Sequence, residues 1–124
     1  MKQKMRKVLV VEDDFSVARM LSLALKSAGF DVEHVSSGGA ALLALDTGVH
    51  SVVLLDLGLP DRRGNDVLNR LISLPKLTRP FWLVLSAMDL SDAEKMYSIS
   101  SERFISKPYN PWDVVKRIDS EIAG

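Results

Sequence analysis

Apolar positions along this chain follow two rhythms that alternate from one end to the other. Short runs rich in Val and Leu occupy Val8 to Val11, Val52 to Leu55 and Phe81 to Leu85. Their length and β-branched content predict strands buried on both faces. Two weaker runs, Asp31 to Val35 and Arg103 to Ile105, complete a set of five; the first mixes polar and apolar residues as an edge strand does. Between the runs the period lengthens. Val17, Met20, Leu21, Ala24, Leu25 and Ala28 recur at three- and four-residue steps, which predicts one buried helix face, with Asp14 to cap its start and Gly29 its end. A second helix is predicted from Gly39 to Asp46, stopping near Gly48. A third follows Gly64, buries Val67, Leu68, Leu71 and Ile72, and ends before Pro75. The fourth opens on Ser91 and Glu94 as a capping box and has only a thin apolar face, Met96, Tyr97 and Ile99. The fifth starts at Asn110 with Pro111 in its first turn, buries Val114, Val115, Ile118 and Ile122, and leaves Trp112 partly in solvent.

Five strand–helix alternations without a repeat or linker predict an α/β domain with a doubly wound parallel sheet, covered on both faces by five helices. A length of 124 residues suits one such domain, taken as residues 1–124. The 16 basic and 16 acidic residues balance, so no basic excess supports direct nucleic-acid binding. The chain has no cysteine, which excludes disulfides, thiolate metal sites and a thiol nucleophile and fits a cytoplasmic location. Lys2, Lys4, Arg6 and Lys7 precede too short an apolar run for an export signal and read as a solvated lead-in to the first strand. No apolar stretch approaches the roughly 20 residues that cross a bilayer, so no membrane partner is expected.

In an open parallel sheet, ligands collect outside the carboxyl ends of the strands. Here the first strand ends in Glu12, Asp13 and Asp14, the third in Asp56 and the fourth in Ser86, while Lys107 follows the fifth. Acids from two strand ends would meet at one edge, where they repel one another unless a cation joins them. Magnesium suits such a cluster because it takes oxygen ligands and leaves positions for phosphate oxygens. Lys107, as an exposed point charge, and the hydroxyl of Ser86 complete the parts for phosphoryl transfer to a carboxylate. Asp14 is assigned to the helix cap. His34 and His50 have no evident partners and are read as surface histidines, and Arg62 and Arg63 as solvated loop residues.

The four segments Val10-Val11-Glu12-Asp13-Asp14, Leu54-Leu55-Asp56-Leu57-Gly58-Leu59-Pro60, Leu85-Ser86-Ala87 and Ile105-Ser106-Lys107-Pro108-Tyr109 occur in that order. Together they resemble the receiver domains of two-component response regulators over essentially the whole chain. The resemblance implies a flavodoxin-like sheet of order 2-1-3-4-5, and a switch that promotes its own phosphorylation and dephosphorylation without turning over an external substrate. It implies that Asp56 is phosphorylated and that Asp13, Asp56 and the Gly58 carbonyl ligate Mg2+, with Glu12 acting through a metal-bound water. Ser86 would bond the phosphoryl group, Lys107 would neutralise it, and Phe104 would be the aromatic switch residue. It also implies a cis Lys107-Pro108 bond.

The implied partners are a sensor histidine kinase or histidine phosphotransfer protein, and a downstream target or output domain read through the fourth helix, fifth strand and fifth helix. A homodimer is left open. Two features depart from the family pattern: the segment from Ser86 to Lys107 is about one residue short, and Ser98-Ile99-Ser100-Ser101 replaces a small-residue stretch. A haloacid-dehalogenase-like phosphohydrolase would need an acid where Gly58 stands. A flavodoxin-like binder would need a phosphate loop where Glu12, Asp13 and Asp14 stand. The remaining alternative is a degenerate receiver that only binds proteins, which loss of the acids or the lysine would mark.

Overall fold

The computed structural model describes residues 6–122. Its elements are β1 (Lys7–Val11), α1 (Phe15–Ser27), β2 (Asp31–Val35), α2 (Gly38–Leu45), β3 (Val52–Leu55), α3 (Gly64–Ser73), β4 (Phe81–Ser86), α4 (Leu90–Tyr97), β5 (Phe104–Ser106) and α5 (Pro111–Ile122). All strand pairs are parallel and the sheet order is β2-β1-β3-β4-β5, the α/β flavodoxin-like arrangement. Lys2 and Lys4 lie outside the described residues; the Arg6 guanidinium is exposed and donates to the Ile122 carbonyl at 2.9 Å.

Alternation along β1 and β3 divides the core in two. Leu9, Val11, Val53 and Leu55 face α2 and α3, packing on Ala41, Val67, Leu68 and Leu71. Val8, Val10, Val52 and Leu54 face α1 and α5, packing on Leu21, Leu25, Val114 and Ile118. β2 and β5 are the edge strands, and the residues of β2 are only half-buried apart from exposed Asp31.

Helix ends follow local chemistry. The Asp14 carboxylate accepts from the Ser16 and Val17 amides at 3.0 and 3.2 Å and caps α1, while Gly29 takes a φ of 96° just beyond its last turn. Ser37 caps α2 through the Ala40 amide, so this helix starts one residue before Gly39. The Asn110 side chain accepts the Trp112 amide at 2.9 Å at the start of α5.

Several positions differ from the expectations. Ala18 takes the buried place on α1, while Met20 is 61% exposed, Ala28 is exposed and Val17 half-buried, because α1 packs on the sheet beside α5 and the side that meets this core carries Ala18, Leu21, Ala24 and Leu25, leaving the Met20 edge outward. Ile72 likewise sits on the outer edge of α3, nearly half exposed. α4 is capped by Asp89, which accepts the Ser91 amide, and the helix begins at Leu90; Ser91 is no cap. Its buried residue is Ala93, Met96 faces solvent, and Ile99 is buried only after the helix has ended. Arg103 belongs to a 3-10 turn, so β5 starts at Phe104.

Candidate functional site

The carboxyl ends of β1, β3 and β4 and the loop after β5 converge as the topology requires. The Asp56 amide donates to the Val11 carbonyl at 3.0 Å, and the Lys107 amide to the Ser86 carbonyl at 2.8 Å, so backbone bonds fix the spacing of the side chains. Lys107 Nζ donates to Glu12 Oε1 at 2.5 Å and to Asp56 Oδ2 at 3.1 Å, spanning residues far apart in sequence. The Gly58 amide donates to Asp56 Oδ1 at 3.0 Å. Glu12 and Asp56 are buried and Asp13 is exposed at the mouth. The Lys107 side chain is only 19% exposed, which corrects the reading of it as an exposed charge.

Burial pushes the Glu12 carboxyl up to about 7; the Lys107 hydrogen bond opposes that rise and neighbouring Asp56 adds to it. Burial pulls the Lys107 ammonium down, but its hydrogen bonds to Glu12 and Asp56 outweigh burial and hold it above its ordinary 10.5. A cavity of about 440 Å³ opens on Asp56 and is lined also by Gly58, Ser86, Met88, Tyr97 and Lys107. The Ser86 hydroxyl accepts the Met88 amide at 3.0 Å, which orients it at the cavity wall. Phe104 is buried in the core on the α3 side of the sheet. Lys107-Pro108 is cis, as the resemblance implied.

Glu12, Asp13 and Asp56 each bring a carboxylate oxygen within 4.8 Å of the others. Ligand oxygens around a magnesium ion, at about 2.1 Å from it, lie roughly 3 to 4 Å apart, so small rotations bring this set into range. Three carboxylates facing one ammonium leave two negative charges when all are ionised, which matches a divalent cation. The donor set is oxygen only, and it fits magnesium.

Three residues at the site escaped the sequence reading. Tyr97 reaches the cavity from the last turn of α4. The Tyr109 hydroxyl is buried without a partner beside the lysine loop, and burial, aided by the charge of Glu12, pushes it up to about 12. His34 Nε2 lies 2.7 Å from the Glu12 carbonyl oxygen, and its ring meets Phe15 edge to face at 5.4 Å between centroids. Its position one residue before the end of β2 was the available signal. His50 is no surface residue either: its side chain is 1% exposed at the opposite end of the sheet, 2.8 Å from Glu33 Oε1. Arg62 and Arg63 are exposed, as expected of loop residues. Among the described residues, no helix is long and apolar enough to cross a membrane.

Comparisons with known proteins agree with this geometry. A family model described as response regulator receiver domain matches residues 8–119. The cell cycle transcriptional regulator CtrA of Caulobacter vibrioides is 28% identical over 116 residues, covering 94% of this chain and 50% of CtrA. The DNA-binding response regulator MtrA of Mycobacterium tuberculosis is 32% identical over 117 residues, again 94% of this chain and 50% of the relative. The chain thus spans about half the length of the curated relatives it matches. A putative response regulator from Chloroflexus aurantiacus superposes with a TM-score of 0.80 at 28% identity, covering 98% of this chain and all of the other.

Proposed function

The chain belongs to the response regulator receiver domain family, and from that premise we propose that it accepts a phosphoryl group on Asp56 and passes the change on to a protein partner. The observation that carries this reading is the Lys107 ammonium held between Glu12 and Asp56 at the edge of a cavity wide enough for a phosphoryl group. An Asp56 carboxylate oxygen attacks the phosphorus of a phosphohistidine donor; the P–N bond breaks, its electron pair leaves with the imidazole, and an acyl phosphate forms. Lys107 neutralises a phosphoryl oxygen as its contact with Asp56 is given up, and the Ser86 hydroxyl turns from Met88 to donate to another. Asp13, Asp56 and the Gly58 carbonyl would hold Mg2+, with Glu12 acting through a bound water. The ion's contribution is to neutralise charge shared by the carboxylates and the phosphoryl group.

On this reading the domain is a switch and not a turnover enzyme. It works in the cytoplasm with a sensor histidine kinase or phosphotransfer protein as donor, and with an output domain or downstream protein as reader. The residues a degenerate receiver would lack are all present and assembled. The test is incubation with acetyl phosphate and magnesium, followed by intact-mass analysis. Wild type should gain one phosphoryl group and Asp56→Asn none; equal labelling of both would overturn the assignment.

A further inference from the structure

His34 stands outside every role assigned above, yet it makes the closest side-chain contact to the backbone of the acid pair. β2 runs parallel to β1 with Val10 opposite His34 and Val11 opposite Val35. Where β1 ends, β2 holds both backbone groups of the next residue, Glu12. The Glu12 amide donates to the Val35 carbonyl at 3.0 Å, and His34 Nε2 lies 2.7 Å from the Glu12 carbonyl oxygen. A carbonyl only accepts, so the contact requires a proton on Nε2. The Glu12 carbonyl belongs to the peptide that joins Glu12 to Asp13, so fixing it fixes the direction in which both side chains leave the strand. Phe15, 69% exposed at the start of α1, packs edge-on against the imidazole and shields one side of it from water.

We propose that His34 is a positioning residue for the metal site: it locks the Glu12–Asp13 peptide so that the two carboxylates are presented together with Asp56. This rests on the reading of Glu12, Asp13 and Asp56 as the Mg2+ site. Groups that orient a ligand without touching the ion typically change metal affinity by about 10- to 100-fold when removed. His34 acts one bond further back, through the main chain, and the lower end of that range is the expected effect.

The experiment is magnesium titration of wild type, His34→Leu, His34→Gln, His34→Asn and Asp13→Asn, followed by calorimetry and by heteronuclear NMR of the imidazole nitrogens. The Gln amide nitrogen reaches the place of Nε2 and the Asn amide does not, although both are polar and neutral. We expect His34→Leu and His34→Asn to bind magnesium about tenfold more weakly than wild type and His34→Gln to stay close to it. In wild type the His34 nitrogens should show the Nε2-protonated tautomer and shift as magnesium is added. Wild-type affinity in folded His34→Asn, or His34 signals that are unmoved by magnesium, would overturn the role of His34 while leaving the metal site standing. Wild-type binding no tighter than that of Asp13→Asn would remove the metal site and this proposal with it. If His34→Leu fails to fold, the Gln and Asn comparison and the wild-type spectra still decide.

Discussion

Lys107 bears on the resting fold as well as on the proposed chemistry. It is the cation that lets Glu12 and Asp56, both buried, stand side by side. Breaking a fully buried pair by removing one partner costs about 3 to 5 kcal/mol, and partial access to solvent reduces that. Lys107→Met is therefore expected to lose about 2 kcal/mol of stability in urea unfolding without magnesium, and to regain much of it when magnesium is added. An unchanged midpoint in both conditions would contradict this. A second carboxylate, Asp61, acts away from the site. It accepts the Gly38 and Gly39 amides at 3.1 and 2.9 Å, and so fastens the loop after β3 to the start of α2. The Gly39 bond is the main cause holding its carboxyl below the ordinary 3.8, with Gly38 and Arg63 adding to it. Because the folded pKa is depressed, the stabilisation is complete above 3.8 and is lost as pH falls through the lower folded value. Asp61→Asn should accordingly melt below wild type at neutral pH, with the difference closing in strong acid; a gap that persists there would refute the charge argument. Asp56, Asp13 and Lys107 were legible in the sequence because strand ends collect chemistry. Asp61 was not, since its partners lie more than twenty residues away on a helix whose approach to this loop no local pattern encodes.

At the scale of elements, periodicity identified all five helices but not always the edge that faces inward. The stripe on α1 is wide enough to admit either Val17 and Met20 or Ala18 as its margin, and only the packing of the whole core chooses Ala18. α4 was harder because Asp89 and Ser91 are both good caps two residues apart, and its buried stripe is reduced to Ala93. The departure from the family pattern that follows α4 has a structural form. Ser98 ends the helix in the left-handed region at φ 56°, Ile99 turns into the core, and a 3-10 turn leads to β5. A residue with a β-carbon pays about 1 kcal/mol for that conformation, and glycine does not. Ser98→Gly should therefore raise stability by about 0.5 to 1 kcal/mol in denaturant unfolding, less the entropy glycine loses on folding. A clear loss of stability would mean that the serine side chain contributes something the backbone geometry does not reveal.

Across the whole molecule, the alternation of elements made a doubly wound parallel sheet readable, whereas the order β2-β1-β3-β4-β5 came from the family resemblance, because the same alternation suits other doubly wound orders. The two-sided core came with the sheet, because strands apolar at every position need cover on both faces. What the sequence concealed was the wiring between the site and the rest. The cavity on Asp56 is walled by Ser86 and Met88 at the end of β4 and by Tyr97 at the end of α4, so a group bound there presses on the least anchored helix. β5 pairs with β4 up to Ser86, and Phe104 on β5 is already buried, leaving less inward travel than a switch residue that starts in solvent. Elements held by few buried contacts shift most readily between two arrangements. We therefore expect amide hydrogen exchange, compared with and without beryllium fluoride and magnesium, to slow mainly in α4, with smaller changes in β5 and the start of α5. Trp112, half exposed at the start of α5, borders the groove shared with Met20 and Leu23 of α1. Changes confined to α1 and α2, with α4 exchanging as before, would show that the phosphoryl signal leaves the site through β2 and the Asp61 loop instead.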